Sequence, residues 1–238
     1  MTTRDVAAVL DENGVNRLCH FTPSRNLPHI LRDGEIRATK DLADDVRACY
    51  TATDLARLDG HREAICCSIE YPNAYYWAKA RVVGEARLFP DWAVLLIDPA
   101  VALRPGTLFC TGNASRLYGA TARSGSEGLV AAYAPDVVGS GGRTFTRGAS
   151  HLSACPTDLQ AEVLVPGPIS LDLLQAVVVD SVEQAETEVA RLSQASLSIG
   201  NVRWMIAPTF FQPYVLAAAI QGGRPPNEDE WRKEDEWP

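Results

Sequence analysis

Residues 159–165 read LQAEVLV, and this stretch carries the clearest indication of the fold. Polar and apolar side chains alternate along it, as in a β-strand with one half-buried face. The alternation predicts Gln160 and Glu162 on one face of the strand and Ala161 and Val163 on the other. Because an ionised carboxylate is seldom buried without a partner, an inward-pointing Glu162 indicates a functional role rather than a core position.

Working outward, the remaining sequence predicts a mixture of short strands and helices. Strands are predicted over residues 18–22, 64–71, 94–97 and 176–179, and helices over residues 26–34, 72–80 and 182–195. In the last helix, Glu183, Glu186 and Glu188 are predicted to lie on the solvent side. Residues 135–157 are rich in glycine and predict a long loop, which in a compact domain is usually functional or mobile.

Composition predicts a single domain over residues 1–220, followed by an acidic, flexible segment over residues 221–238. The chain has 238 residues, 46% of them hydrophobic, which is enough for a sizeable core. Its longest apolar runs are too short to span a bilayer, and its first ten residues lack the apolar core of a secretory signal. Six scattered cysteines without metal-ligand spacing predict reduced thiols, no bound metal and a cytoplasmic location.

Charge is distributed unevenly along the chain. The net charge is −8, but residues 101–150 carry five arginines against two acidic residues, a local excess of +3. These arginines are Arg104, Arg116, Arg123, Arg143 and Arg147. The planar guanidinium matches phosphates and base edges, so a nucleic-acid or dinucleotide surface can coexist with an acidic whole. A solvated loop is the alternative that charge spacing leaves open.

The predicted position of Glu162 suits one type of chemistry. A carboxylate on a rigid strand beside a basic loop can stabilise positive charge in a substrate. Cleavage of the bond between nicotinamide and ribose passes through an oxocarbenium-like sugar, the charge type that carboxylates stabilise in glycoside hydrolysis. Gln160, on the same predicted face, can orient a second hydroxyl or amide of the substrate.

Several motifs together resemble the DarT-like DNA ADP-ribosyltransferase toxin family. Residues 18–34 contain H-F-T, N-L, I-L and a glycine in the spacing of that family, and Tyr50 precedes Arg57 by the matching seven residues. Residues 72–74 (PNA), 111–114 (TGNA) and 160–165 (QAEVLV) match three further segments in the same order. Each piece is short, but the combination is specific.

The resemblance implies an α+β fold of the ADP-ribosyltransferase type, with split, mostly antiparallel sheets around a central NAD cleft and flanking helices. It implies NAD as co-substrate, no metal, and Glu162 and Arg57 as the catalytic residues. The residues implied in NAD binding are His20, Thr22, Asn26, Arg57 and Tyr71, with Asn26 also capping the following helix. Those implied in binding single-stranded DNA are Asn113, Arg143 and Arg147.

The acceptor implied by the resemblance is a base in single-stranded DNA, because a base inside a duplex cannot reach such a cleft. Members that modify thymine commonly show V-P-[FY]-Y where residues 64–71 read AICCSIEY. The aromatic residue that stacks on nicotinamide would then be Tyr71, Tyr75 or Trp77, and the departure favours guanine over thymine. A thymine ring nitrogen must lose a proton before it attacks, whereas attack by the exocyclic amine of guanine depends less on proton removal by a general base.

The resemblance also implies a toxin with a cognate antitoxin, an ADP-ribosyl hydrolase such as a macrodomain. Two alternatives stay open. One keeps the fold but acts on RNA or protein. The other is a non-catalytic nucleic-acid binding module, although an inward carboxylate gives no advantage to a protein that only binds a polyanion.

Overall fold

The computed structural model describes residues 5–41, 60–82, 90–139, 142–197 and 202–232. The helices in these ranges are α1 (Val6–Asn13), α2 (Leu27–Asp33), α3 (Ala74–Ala80), α4 (Gly125–Ala132), α5 (Val182–Gln194) and α6 (Pro213–Gln221). The strands are β1 (Leu18–Pro23), β2 (Glu35–Ile36), β3 (Ala64–Ile69), β4 (Trp92–Ile97), β5 (Leu108–Cys110), β6 (Arg123–Ser124), β7 (Asp136–Val138), β8 (Thr144–Thr146), β9 (Glu162–Pro166), β10 (Ile169–Ser170), β11 (Leu174–Val179), β12 (Arg203–Ile206) and β13 (Asp229–Trp231).

Nine of the strands form one sheet in the order β13-β12-β11-β4-β1-β3-β9-β5-β6. Neighbouring strands are antiparallel, except β11 and β12, which are parallel. Two small antiparallel pairs, β10 with β2 and β7 with β8, lie apart from this sheet. The predicted α+β class with a mostly antiparallel sheet is therefore confirmed.

The large sheet is split between β1 and β3. On one side, β1 pairs with β4 along its whole length, from Leu18 to Pro23. On the other, it pairs with β3 through only two residues, Leu18 with Ile69 and Cys19 with Ser68. Because both strands continue beyond these pairs without a ladder between them, the sheet has two halves joined at one end.

Helices cover both faces of the sheet, and the central strand β4 is accordingly apolar throughout, with the sequence WAVLLI buried at every position. On one face, Leu95 packs in a core with residues of α2 and α5, such as Leu27 and Leu192. On the other, Leu96 packs in a second core with residues of α3 and α6, such as Trp77 and Leu216. The alternating side-chain direction of a strand thus builds two cores from one sequence run.

Most predicted elements are present, with shifted boundaries. Gly34 ends α2 in the left-handed conformation, with φ of 73°, as its position in the sequence predicts. Strand β3 ends at Ile69, two residues early, because Glu70 adopts a positive φ of 63°. The predicted loop over residues 135–157 contains the short hairpin of β7 and β8.

Two predictions drawn from side-chain periodicity need correction. Glu188 was predicted on the solvent side of α5 but is 1% exposed, because Arg191 pairs with it and donates to the Ser24 carbonyl at 2.7 Å. Gln160 lies outside β9, which begins at Glu162, so the two side chains do not share a strand face.

Residues 221–238, predicted as an acidic and flexible segment, contain one strand of the large sheet. Residues 229–231 form β13 and pair with β12. Before them, Glu228 forms a bidentate ion pair with Arg17, with distances of 2.5 and 2.6 Å. This ion pair joins the C-terminal segment to the start of β1.

The described residues include five free cysteines and no group of three His, Cys, Asp or Glu side chains that could hold a metal ion. Within the same ranges, none of the helices has the length and apolar character needed to cross a membrane.

Candidate active site

Glu162 is the first residue of β9 and lies in the half of the sheet formed by β3, β9, β5 and β6. Its cross-strand neighbours are Ser68 on β3 and Cys110 on β5. The Glu162 side chain is 8% exposed, so this carboxylate is held in protein rather than in solvent. The structure therefore has Glu162 in the inward position that the sequence predicts. The residue begins strand β9, whereas the sequence predicts it in the middle of the strand.

The loop over residues 111–115 orients the Glu162 carboxylate. The Asn113 side-chain amide donates to Oε1 at 3.2 Å, and the Ala114 backbone N–H donates to Oε2 at 2.7 Å. Asn113 is itself held by Ser115, whose backbone N–H donates to Asn113 Oδ1 at 3.1 Å and whose hydroxyl donates to the same oxygen. Each carboxylate oxygen thus has a donor, which satisfies a buried charge and fixes its direction.

The structure places the Asn113 amide against Glu162, and the predicted contact of Asn113 with DNA stays a prediction. The match of residues 111–114 to a family segment indicated that Asn113 has a function. The contact with Glu162 could not be predicted, because 49 residues separate the two in the sequence.

A second buried carboxylate, that of Asp158, lies next to Gly112 of the same loop. It is 1% exposed, and its Oδ1 accepts from the Gln160 backbone N–H at 3.0 Å. Its Oδ2 lies so close to two glycines that an added Cβ would approach it to 2.8 Å at Gly112 and 2.6 Å at Gly139. Only glycine fits at these positions, because any side chain would displace either the carboxylate or the backbone.

Burial raises the pKa of Asp158, while the Gln160 N–H and the positive charges of Arg116 and Arg143 oppose the shift. Sequence reasoning missed this residue, since an aspartate before a strand is ordinarily a turn residue.

His20 lies at the split between the two halves of the sheet. Its Nδ1 is 2.8 Å from the Cys66 carbonyl of β3, where a backbone ladder would otherwise continue. A carbonyl only accepts hydrogen bonds, so Nδ1 is the donor in this contact. Cys66 lies two positions before Ser68, the cross-strand neighbour of Glu162.

Thr22 and Asn26 form a buried pair at the end of β1. The Asn26 side-chain amide donates to the Thr22 hydroxyl at 3.0 Å. Asn26 occupies the position before α2, but its side chain makes no capping hydrogen bond to the helix, so the predicted capping role is wrong. The pair instead ties the end of β1 to the start of α2.

Tyr71 packs in the core on one face of the sheet. The Arg17 guanidinium lies 5.0 Å from its ring centroid, and Phe210 packs edge-on at 5.7 Å. Trp77, an alternative for nicotinamide stacking, is also buried, against Phe21 and Phe211. Both rings are engaged in the core, and this packing gives no support to a stacking role for either.

The two loop arginines differ in their surroundings. Arg143 is exposed beside β8, with its guanidinium 5.2 Å from the Phe145 ring centroid. Arg147 is half-buried and donates to the carbonyls of Cys155, Leu152 and Ser153 at 2.7, 2.9 and 3.0 Å. Arg147 therefore holds the loop together, and its Nη1 and Nη2 are committed to the protein. The predictions for Arg57 and Tyr50 lie outside the described residues.

A split, mostly antiparallel sheet with an oriented carboxylate in one of its halves is the arrangement that the resemblance to ADP-ribosyltransferases implied. The profile of one family, described as "DarT: ssDNA thymidine ADP-ribosyltransferase, DarT", matches residues 19–211. The chain belongs to this family, an enzyme family whose reaction is ADP-ribosylation of single-stranded DNA. NAD is the donor of ADP-ribose in this reaction class.

Solved structures with a similar fold carry the same family name. Thermosipho africanus DarTG in complex with ADP-ribose aligns with a TM-score of 0.53 and 16% identity, over 82% of this chain and 51% of that chain. Thermus sp. 2.9 DarT in complex with ADP-ribosylated ssDNA aligns with a TM-score of 0.51 and 15% identity, over 83% of this chain and 97% of that chain. The same Thermus protein in complex with NAD+ aligns with a TM-score of 0.49 and 14% identity, over 82% of this chain and 97% of that chain.

The chain thus spans about half the length of the Thermosipho protein, and at these identities the likeness shows the fold. No curated protein sequence matches this chain.

Proposed function

We propose that this chain transfers ADP-ribose from NAD to a base of single-stranded DNA, with Glu162 as the catalytic carboxylate and Arg57 as its catalytic partner. The observation that carries the proposal is the buried Glu162 side chain, held by Asn113 and Ala114. A carboxylate fixed in direction before the substrate binds stabilises a developing cation without reorganisation cost.

The reaction breaks the bond between the ribose anomeric carbon and the nicotinamide nitrogen. The electron pair of that bond stays with nicotinamide, which leaves neutral, and the ribose becomes an oxocarbenium-like cation next to Glu162. The acceptor base then forms a bond to the anomeric carbon. For thymine, the ring-nitrogen proton passes to Glu162 as general base, so that one carboxylate serves both steps.

Thymidine is the acceptor that we propose, because the family description names it. Guanine, which the departure at residues 64–71 favours, is the alternative acceptor. Tyr71 and Trp77, two of the aromatic residues that could replace the missing one, pack in the core of the sheet.

The NAD-binding residues in this proposal are His20, Thr22 and Asn26, with Arg57 and Tyr71 as predicted from the sequence. The His20 ring lies at the split of the sheet, with its Nδ1 2.8 Å from the Cys66 carbonyl, where it is proposed to contact a ribose of NAD. The Thr22 and Asn26 pair joins β1 to α2 beside it and supports its position.

For DNA, Arg143 is the proposed direct contact, since its exposed guanidinium can reach a phosphate. Arg147 acts through the loop that it stabilises. Asn113 donates to the Glu162 carboxylate, and it is proposed to contact DNA as well.

The proposed partner of the chain is an antitoxin that removes the ADP-ribose, a hydrolase such as a macrodomain. The similarity to a protein named DarTG supports such a pairing. The proposed place of action is the cytoplasm, where unpaired DNA and NAD are both present.

The decisive experiment incubates the protein with NAD and single-stranded oligonucleotides and identifies the modified nucleosides by mass spectrometry. An ADP-ribosylated thymidine supports the proposal, and modified guanosine supports the alternative base. Modification of an RNA or protein but not of DNA would contradict the proposed substrate.

Glu162→Ala tests the catalytic role in the same assay. We expect transfer to fall by at least about 100-fold while oligonucleotide binding survives. Wild-type binding without any transfer would instead support a non-catalytic nucleic-acid binding module. Equal loss of binding and transfer in the variant would contradict the role assigned to Glu162.

A further inference from the structure

An exposed tyrosine lies at the tip of the loop that orients Glu162. Leu117 and Tyr118 both adopt left-handed backbone conformations, with φ of 50° and 54°. Their side chains are 63% and 81% exposed. Bulky residues rarely adopt this conformation, and strained backbone of this kind clusters at functional sites.

Consecutive tight turns hold this loop, so that the position of the tip is defined. The backbone N–H of Arg116 donates to the Asn113 carbonyl at 3.1 Å, and that of Tyr118 donates to the Ser115 carbonyl at 3.1 Å. Beyond the tip, Ala120 donates to the Leu117 carbonyl at 3.1 Å. The Arg116 guanidinium adds a bond to the Val138 carbonyl of β7. The loop therefore presents Tyr118 on a braced backbone.

The tip is close to Glu162 along the backbone. Ser115 and Tyr118 are the ends of one turn, which places their Cα atoms within about 7 Å of each other. Asn113, which binds Glu162, is two residues before Ser115, a further span of at most about 7 Å. Together these spans place the Tyr118 Cα within about 14 Å of the Asn113 Cα, a distance that an unpaired strand with its acceptor base at Glu162 can cover.

The charges around the tip suit a nucleic acid rather than a protein partner. Arg123 is exposed on β6, Arg116 is part of the loop, and Arg143 is exposed beside β8. Residues 101–150 as a whole have five arginines and two acidic residues. Exposed aromatic rings among basic side chains are how proteins bind single-stranded nucleic acid, because each base can stack on a ring while the cations follow the backbone.

We propose that Tyr118 is a stacking site for an unpaired base that flanks the acceptor base in the single-stranded DNA substrate. This inference rests on the proposed function and adds a subsite to it. The stacked base does not react. Its contact with Tyr118 holds the strand in register, so that the neighbouring base stays at Glu162.

Fluorescence anisotropy with a labelled single-stranded oligonucleotide tests this site. Tyr118→Leu keeps an apolar side chain but removes the ring, and we expect it to raise the Kd at least about five-fold. Tyr118→Phe keeps the ring and should stay within two-fold of wild type. Leu117→Ala is the matched control at the neighbouring exposed position and should also stay within two-fold.

Salt dependence separates stacking from phosphate contact. The slope of log K against log salt should be the same for Tyr118→Leu and wild type, because no cation is removed. A Kd for Tyr118→Leu within two-fold of wild type would overturn the proposal, as would equal losses in Tyr118→Phe and Tyr118→Leu. Equal affinity of wild type for single-stranded DNA and its duplex would overturn it as well.

Failure of the proposed function gives a different result. In that case wild-type protein does not modify the oligonucleotide by mass spectrometry, whatever the affinities of the Tyr118 variants.

Discussion

Replacing Asn113 with alanine tests the arrangement of Glu162 most directly. The substitution removes the donor to Oε1 at 3.2 Å and leaves the Ala114 N–H on Oε2 at 2.7 Å, so the carboxylate stays in place but can rotate. A hydrogen bond to a charged group is worth about 1.5–3 kcal/mol. If this energy acts in the transition state, kcat falls by about 10- to 150-fold.

The assay is release of nicotinamide from NAD together with transfer to a single-stranded oligonucleotide. We expect the loss in kcat with little change in KM for NAD, because Asn113 positions the catalytic group and does not hold the cofactor. Ser115→Ala is the matched control. It removes a hydroxyl from Asn113 but leaves the Ser115 N–H on Asn113 Oδ1 at 3.1 Å, so its kcat should stay within about three-fold of wild type.

Asn113→Asp provides a sign test of the same contact. It places two carboxylates about 3.2 Å apart, and at an effective dielectric constant of about 20 their repulsion has an upper value of about 5 kcal/mol. When the pair takes up one proton at lower pH, the repulsion is removed and the protonated carboxyl at position 113 can donate to Glu162 as the amide did. Activity should therefore be lost at neutral pH and partly recover as the pH falls. A kcat within two-fold of wild type for both Asn113→Ala and Asn113→Asp would refute the orienting role of the Asn113 amide.

Two further predictions concern Gly139 and Asp158, which lie next to each other beside this loop. Gly139→Ala places a Cβ 2.3 Å from the Phe145 ring and should lower the free energy of unfolding by about 1–3 kcal/mol in urea titrations. Gly148→Ala, which meets nothing within 4 Å, should cost nothing measurable by the same method, and equal effects of the two would contradict the steric argument. Asp158→Asn should gain in stability relative to wild type as the pH rises, because burial raises the pKa of Asp158 in the folded state above its unfolded value of about 3.9. The stability that this raised pKa confers is full below the unfolded pKa and is lost as the pH rises through the folded pKa. Unfolding measured across that window in both proteins checks the sign, and a difference that is constant with pH would refute it.

Local sequence patterns predicted many of the elements because their signals are short-range. The apolar and β-branched residues over residues 18–22 and 64–71 and the glycine at position 34 each act within one strand or one helix turn, and strands β1 and β3 and the end of α2 appear at these places. The inward position of Glu162 was also legible, because a charged residue in an apolar strand has few structural explanations.

Predictions that depended on periodicity alone were less reliable. Glu188 fits the solvent face of an isolated helix, but α5 packs against the segment that contains Ser24, where Arg191 completes an ion pair. Gln160 fits the strand alternation, but the Asp158 carboxylate holds its backbone in a turn. In both cases a side-chain contact from outside the local pattern decided the outcome.

The sequence by itself determined the class of fold and the family, and it predicted the inward position of Glu162, because apolar periodicity and short motifs are local properties of the chain. Only the tertiary structure decided what holds that carboxylate. Asn113 reaches Glu162 across 49 residues, and Asp158 lies under Gly112 and Gly139. Such contacts depend on the order in which distant strands join the sheet, and strand order is fixed by the packing of both faces rather than by any one segment.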